Sequence, residues 1–236
     1  MPETTLADVW QGVLGTQPDP PAALVLATAV VAVVVIAFPR AWRVSRNVVT
    51  IAHEGGHALA ALASGRRLSG IRLHSDTSGV TVSRGRPTGP GMVATLVAGY
   101  PTPPLLGLAV AAMLAADRIT APLWIGLALL AGMLVAIRNL FGVVSVVLTG
   151  AVVFAVSWFA PAVVQAGFAY LVAWFLLFAG ARPVFELQRL RRQGRAPHSD
   201  ADQLGRLIGI PPFVWVALFA VVAVVALVAG ARLLLP

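Results

Sequence analysis

The residues most able to do chemistry in this chain lie in "NVVTIAHEGGHALAALASG", Asn47 to Gly65. His53, Glu54 and His57 make H-E-x-x-H. Histidines four apart on a helix project from one face and can chelate a single ion. A glutamate one position on reaches a water at that ion rather than the ion itself. Zinc lowers the pKa of bound water to about 7 and polarises a carbonyl. A neighbouring carboxylate can take that water's proton and pass it to a leaving amine. His53 and His57 therefore read as metal ligands and Glu54 as a general base. The alternative, packed histidines beside a paired glutamate, is disfavoured because ionisable groups in an apolar, membrane-depth helix cost several kcal/mol and are functional by default. Gly55 and Gly56 each cost a helix roughly 1 kcal/mol relative to Ala. They point to close approach by another helix or by a substrate backbone.

The elements that must position these groups are set by composition. Of 236 residues, 58% are hydrophobic and 11% charged, and the mean hydropathy is +0.87. Soluble domains sit nearer half apolar and a quarter charged. The expected fold class is an all-α polytopic membrane protein with a small membrane-associated β-hairpin. A span needs about 20 apolar residues. The candidate spans are Ala22–Phe38, Trp42–Ser64, Met92–Ala116, Ile119–Ile137, Leu140–Phe159, Ala162–Ala181 and Phe213–Leu235, about seven in all. Residues 1–21 read as a polar N-terminal segment without the basic region of a cleaved signal. Residues 22–236 read as one integral-membrane domain in contact with the lipid bilayer.

All 17 basic residues are Arg and the net charge is +8. They cluster in short loops between apolar runs, which fits topology determination and argues against a nucleic-acid partner. The use of Arg alone, with the Ala and Val richness, resembles the composition of a high-GC bacterial genome. With no Cys, disulfides, thiolate metal sites and a cysteine nucleophile are excluded. Two polar segments interrupt the spans. In residues 66–90, Ile71 and Leu73 alternate with polar neighbours, as do Val80 and Val82, around "DTSG"; this predicts a β-hairpin over about 68–84. The second segment, about 183–211, extends a helix, loops near Gly194–Pro197, and starts a short helix at the N-cap candidate Ser199. Both segments are Arg-rich, so the positive-inside rule puts both in the cytoplasm, at the cost of placing Arg40, Arg43 and Arg46 outside.

"HEGGHALAAL" followed by an Arg-rich hairpin resembles the site-2 protease family of intramembrane zinc metalloproteases, and more closely a short bacterial branch of membrane core alone. The likeness runs from about residue 45 to 219 and includes "AGYPTPPLLG", "RNLFG" and "SDADQLGRLIGIPPFVW". The resemblance implies Zn2+ near the cytoplasmic side of a bacterial cytoplasmic membrane. It implies cleavage of the transmembrane segment of another membrane protein, unwound against the hairpin edge. Ile71, Leu73, Val80 and Val82 are the strand residues expected to bind that substrate. Asn139 is expected either to hold a substrate carbonyl or oxyanion or to cap a helix. Tyr100 is expected to line the cleft or to pack beside a helix break at "PTPP".

Two histidines need a third ligand. Family members usually take it from an L-D-G or N-P-D-G type motif, and this chain has neither. Glu3, Asp8 and Asp19 precede the core, Asp117 falls on the opposite face, and Glu186 adjoins arginines. That leaves Asp76, Asp200 and Asp202. Asp200 is the choice, because its surroundings resemble the Ser-Asp-Ala element of the short branch. A helix-N-terminal Asp favoured by the dipole is its alternative. Asp202, Asp76 and His198 stay open. A scaffold that keeps the fold without cleavage, or a metal or small-solute transporter, are the alternative functions.

Overall fold

The computed structural model describes residues 6–235; Glu3 lies outside them, as does the Asp8 side chain. The chain is mostly helical with one two-stranded sheet. In order, it forms α1 (Leu6–Leu14), α2 (Ala22–Ala37), α3 (Pro39–Ala63), β1 (Arg67–Leu73), β2 (Gly79–Arg84), α4 (Pro90–Ala98) and α5 (Thr102–Leu114). Then follow α6 (Ala121–Ala136), α7 (Leu140–Phe159), α8 (Ala162–Arg192), α9 (Asp200–Ile208) and α10 (Pro212–Leu234). Part of the polar N-terminal segment is thus a helix, α1.

Three helices, α7, α8 and α10, are long and apolar enough to cross a membrane singly. Two bent pairs raise the number to as many as five: α2–α3, which turns through 103°, and α4–α5, which turns through 69°. Against about seven expected spans, length and composition thus support three to five. Pro39 starts α3 immediately after the extended Phe38, and Pro101 lacks the N–H that would carry α4 into α5. α6 has only 16 residues, or about 24 Å, less than the roughly 30 Å of a hydrocarbon core. Its chain leaves the helix at Ile137, which runs parallel beside Ile71 of β1. Valines and leucines of α2, α7 and α10 are widely exposed. That is how an integral membrane protein presents itself to lipid.

α8 is the axis of the bundle. α2 runs parallel to it, with Leu24 beside Gly167 and the Ile36 carbonyl accepting from the Arg182 guanidinium. α5 runs antiparallel: Gly180 faces Pro104, and Gly107 faces Leu177. A Cβ on Gly180 would lie 2.6 Å from the Pro104 ring. The 103° bend lays α3 across one end of this bundle instead of back through it. Glu186 of α8 fixes the start of α3, accepting from Trp42 Nε1 at 3.2 Å and Arg182 Nε at 3.0 Å, with Arg46 3.3 Å away. Arg182 also stacks over the Trp42 ring at 4.5 Å.

The hairpin lies along α3. β1 and β2 pair antiparallel, Ile71 opposite Thr81 and Leu73 opposite Gly79, with an irregularity at Leu68–Gly70. Ile71 and Leu73 pack into a buried cluster with Ile51, Ala58, Met133, Ile137 and Val146. Thr50 seats the turn by donating to the Thr77 carbonyl at 2.8 Å. Replacing Gly180 by Val should force α5 off α8 and cost about 1–3 kcal/mol. A lowered thermal unfolding midpoint in detergent, with Gly126→Val unchanged as the open-space control, is the expected result.

Candidate metal centre

The four-residue spacing on α3 brings His53 and His57 together, with their Nε2 atoms 3.1 Å apart. Asp200, the first residue of α9, completes a triangle: its Oδ2 lies 3.3 Å from each Nε2. Among the described residues these three make a group that could hold a metal ion. The side chains are largely enclosed, at 20%, 9% and 12% exposed.

Each corner is held by the chain around it. His57 Nδ1 is 2.6 Å from the Thr95 carbonyl in α4. A carbonyl only accepts, so Nδ1 carries the proton and Nε2 turns its lone pair to the centre, the arrangement usual for ligating histidine. His53 stands edge-on to Tyr100, ring centroids 4.7 Å apart, and Tyr100 stacks on Phe219 at 5.2 Å. Gly99 leaves the space both imidazoles use: a Cβ there would lie 2.5 Å from His57 Nε2 and 2.6 Å from His53 Cε1.

Asp200 arrives on a helix that is pinned from two sides. Ser199 caps α9, accepting from Asp202 N at 3.3 Å. Arg191 at the end of α8 forks onto Asp202, Nε to Oδ2 at 2.7 Å and NH2 to Oδ1 at 3.1 Å. The bidentate fork fixes direction as well as distance. Beneath it, Ala201 and Leu204 are fully buried against Leu96, Val184, Leu187 and Phe219. Burial alone would raise the Asp200 carboxyl, but the facing imidazoles, when protonated, outweigh it and hold it well below the usual carboxylate range. The Arg191 hydrogen bond likewise holds the Asp202 carboxyl low.

Glu54 is 4% exposed and faces the hairpin. Its Oε2 accepts from the Thr81 hydroxyl at 2.5 Å. Gly79 makes room for it, since a Cβ there would come within 2.6 Å of Oε1. Gly56 is the close-approach glycine of the pair, its missing Cβ falling 2.9 Å from the Ala98 carbonyl; Gly55 has open space.

Several expected site residues sit elsewhere. Ile71 and Leu73 are core, at 1% and 2% exposed, so their side chains cannot line a substrate groove. Val80 and Val82 are exposed, at 49% each. Asn139 is committed to β1: Leu73 N donates to its Oδ1 at 3.1 Å, and its Nδ2 donates to the Leu73 carbonyl at 2.7 Å. It makes no side-chain cap. Asp202 holds Arg191, and Asp76 closes its own turn, accepting from the Ser78 backbone at 3.0 Å and hydroxyl at 2.6 Å. These hydrogen bonds hold the Asp76 carboxyl below its usual value. His198 is exposed on the loop before α9.

Sequence reasoning missed Thr81, Gly79, Thr95 and Gly99. The signal for Thr81 was present in the strand alternation, which puts it on the face opposite Val80 and Val82.

One comparison with known proteins covers the whole of this site. The family described as Peptidase M50B-like matches residues 26–230, from α2 to α10, and the chain belongs to it, the site-2 protease family. No curated protein and no solved structure matches the chain. Arg191→Met should loosen α9 and weaken metal retention about 10- to 100-fold, as loss of an orienting group does. Metal titration of the purified protein would read this, and unchanged retention would detach α9's docking from the centre.

Proposed function

We propose that the protein is an intramembrane zinc endopeptidase that cleaves transmembrane segments of other membrane proteins. The observation that carries this is the triangle of His53 Nε2, His57 Nε2 and Asp200 Oδ2, with edges of 3.1, 3.3 and 3.3 Å. Ligand atoms about 2.0–2.1 Å from a tetrahedral zinc lie about 3.3 Å apart. Two nitrogens and one carboxylate oxygen suit zinc and leave a fourth position open, the pattern of catalytic sites. The site-2 protease family is typically zinc-dependent.

When bound, zinc supplies Lewis acidity, lowering the pKa of water to about 7 and polarising the scissile carbonyl. The chain supplies the rest. Glu54 takes the proton of the attacking water on Oε1, the oxygen that Thr81 leaves free, and delivers it to the leaving amine nitrogen. Tyr100 and Gly99 shape the wall beside His53. A transporter would spread polar groups along a path; here they gather at one end of the bundle.

The hairpin offers one open edge to a substrate. The outer edge of β1 is filled, because Ile71 O accepts from Arg138 N and Asn139 takes both backbone groups of Leu73. Since Ile71 and Leu73 turn their backbone groups outward there, Arg72 and Gly70 pair inward with Val80 and Val82. By the alternation of antiparallel pairing, Gly79, Thr81 and Ser83 present their N–H and C=O groups on the outer edge of β2. An unwound substrate segment adds there as a strand, beside Glu54.

The bend after α2 also bears on orientation. It brings Arg40, Arg43 and Arg46 to the same end of the bundle as the hairpin and the α8–α9 loop. Of the 17 arginines, only Arg118 and Arg232 lie toward the other end. By the positive-inside rule, this asymmetry supports a metal centre at the cytoplasmic face.

Two measurements test this reading. Purified protein should carry zinc and cleave a transmembrane peptide, while Glu54→Gln keeps zinc and loses about 100- to 10,000-fold in rate. Equal rates for the two proteins would sink it. The chain has no Cys, so single cysteines at Arg118 and Arg195 report sidedness. A membrane-impermeant thiol reagent added to intact cells should label position 118 alone.

A further inference from the structure

We propose that Thr81 is a positioning residue for Glu54, and that the hairpin holds the base in place through the same residue that a substrate strand engages. This rests on the peptidase reading above and deepens it. The hydroxyl of Thr81 donates to Glu54 Oε2 at 2.5 Å and stands 3.2 Å from the Glu54 backbone carbonyl. Gly79, two residues earlier on the same face, presses against the other side of that carboxylate with no side chain of its own. Thr81 and Gly79 thus fix the carboxylate from β2, and no other side-chain hydrogen bond to it is present among the described residues.

The backbone of Thr81 points the opposite way from a pairing with β1. Its N–H and C=O lie on the open edge of β2. A substrate strand that pairs with this edge fixes the backbone of Thr81, and the hydroxyl on that backbone fixes Glu54. Docking and orientation of the base are therefore coupled through one residue rather than through a moving domain. The alternation of β2 makes this specific: Val80 and Val82 face away, so neither can replace Thr81. Serine keeps the hydroxyl, whereas valine keeps the shape and β-branching but removes the donor.

The experiment uses full-length protein in detergent micelles with a quenched-fluorescent, single-span apolar peptide. Wild type, Glu54→Gln, Thr81→Val, Thr81→Ser and Gly79→Ala are compared for kcat, KM, zinc content and thermal midpoint. Thr81→Val should lower kcat about 10- to 100-fold, the effect of misplacing a catalytic group by about 1 Å, with KM and zinc content unchanged. Thr81→Ser should recover most of that loss. Gly79→Ala should lower kcat with zinc retained, because its Cβ displaces the carboxylate. A rise in KM at unchanged kcat for Thr81→Val would overturn the proposal, leaving Thr81 as part of the strand edge alone. So would a Thr81→Ser protein as slow as Thr81→Val. Equal rates for wild type and Glu54→Gln would instead remove the peptidase reading itself and this proposal with it. Kinetic loss confined to the Thr81 and Gly79 variants cannot come from that source.

Discussion

The rest of the molecule is arranged around three groups that would not stay together unaided. His57 presents a lone pair, Asp200 a negative charge, and His53 a second ring nitrogen, all within 3.3 Å of one another in an enclosed site. Acceptors packed this closely away from bulk water need a proton or a metal cation between them. The surrounding chain therefore does two things: it prevents the groups from relaxing apart, and it keeps their lone pairs aimed inward. The Thr95 carbonyl does the second for His57. The fork between Arg191 and Asp202 does the first for Asp200.

Helix breaks provide the framework. A straight continuation of α2 into α3 would carry the histidines out past the end of the bundle and away from α9. The turn at Phe38–Pro39 lays α3 across that end, and Glu186 secures it. The turn at Gly99–Pro101 brings α4 up beside α3, with Gly99 set against both imidazoles. Each break forgoes some helical hydrogen bonding. At Gly99–Pro101 that is tolerable because the segment is covered by protein; Phe38 and Pro39 are exposed where α3 turns off the end of the bundle.

The sequence made some of this readable and hid the rest for physical reasons. H-E-x-x-H is a local pattern, so a periodicity argument captures its geometry, and the hairpin was equally local. Asp200 was nominated by likeness, not by geometry, because its place depends on how α9 docks 143 residues after His57, and no local rule contains that. The bends were not legible in the span lengths: a run of apolar residues measures length, while Pro39 and Pro101 decide direction. Alternation located both faces of the hairpin, but not which face meets α3. Hence Ile71 and Leu73 looked available and are core, while Thr81 looked like a polar spacer and touches Glu54. Asn139 was hard to place for a related reason. Its amide copies a backbone pair and finishes the edge of β1, which only the tertiary neighbour Leu73 reveals.

One consequence of finishing that edge reaches the function. A two-stranded hairpin has two open edges, and an unwound peptide could in principle join either. Joining β1 would place it against Ile137 and Asn139, on the side of the hairpin away from β2 and its contacts with Glu54. Arg138 N and the Asn139 amide remove that option by occupying the hydrogen-bonding groups of Ile71 and Leu73. The remaining edge belongs to the strand that carries Gly79 and Thr81, both in contact with the Glu54 carboxylate. Under the proposed reading, closing the wrong edge is as necessary as opening the right one, because main-chain pairing is blind to side-chain identity and would otherwise hold substrate where no chemistry can occur. The selectivity of such a site for place on the hairpin then comes from Asn139, a residue that need never touch the substrate.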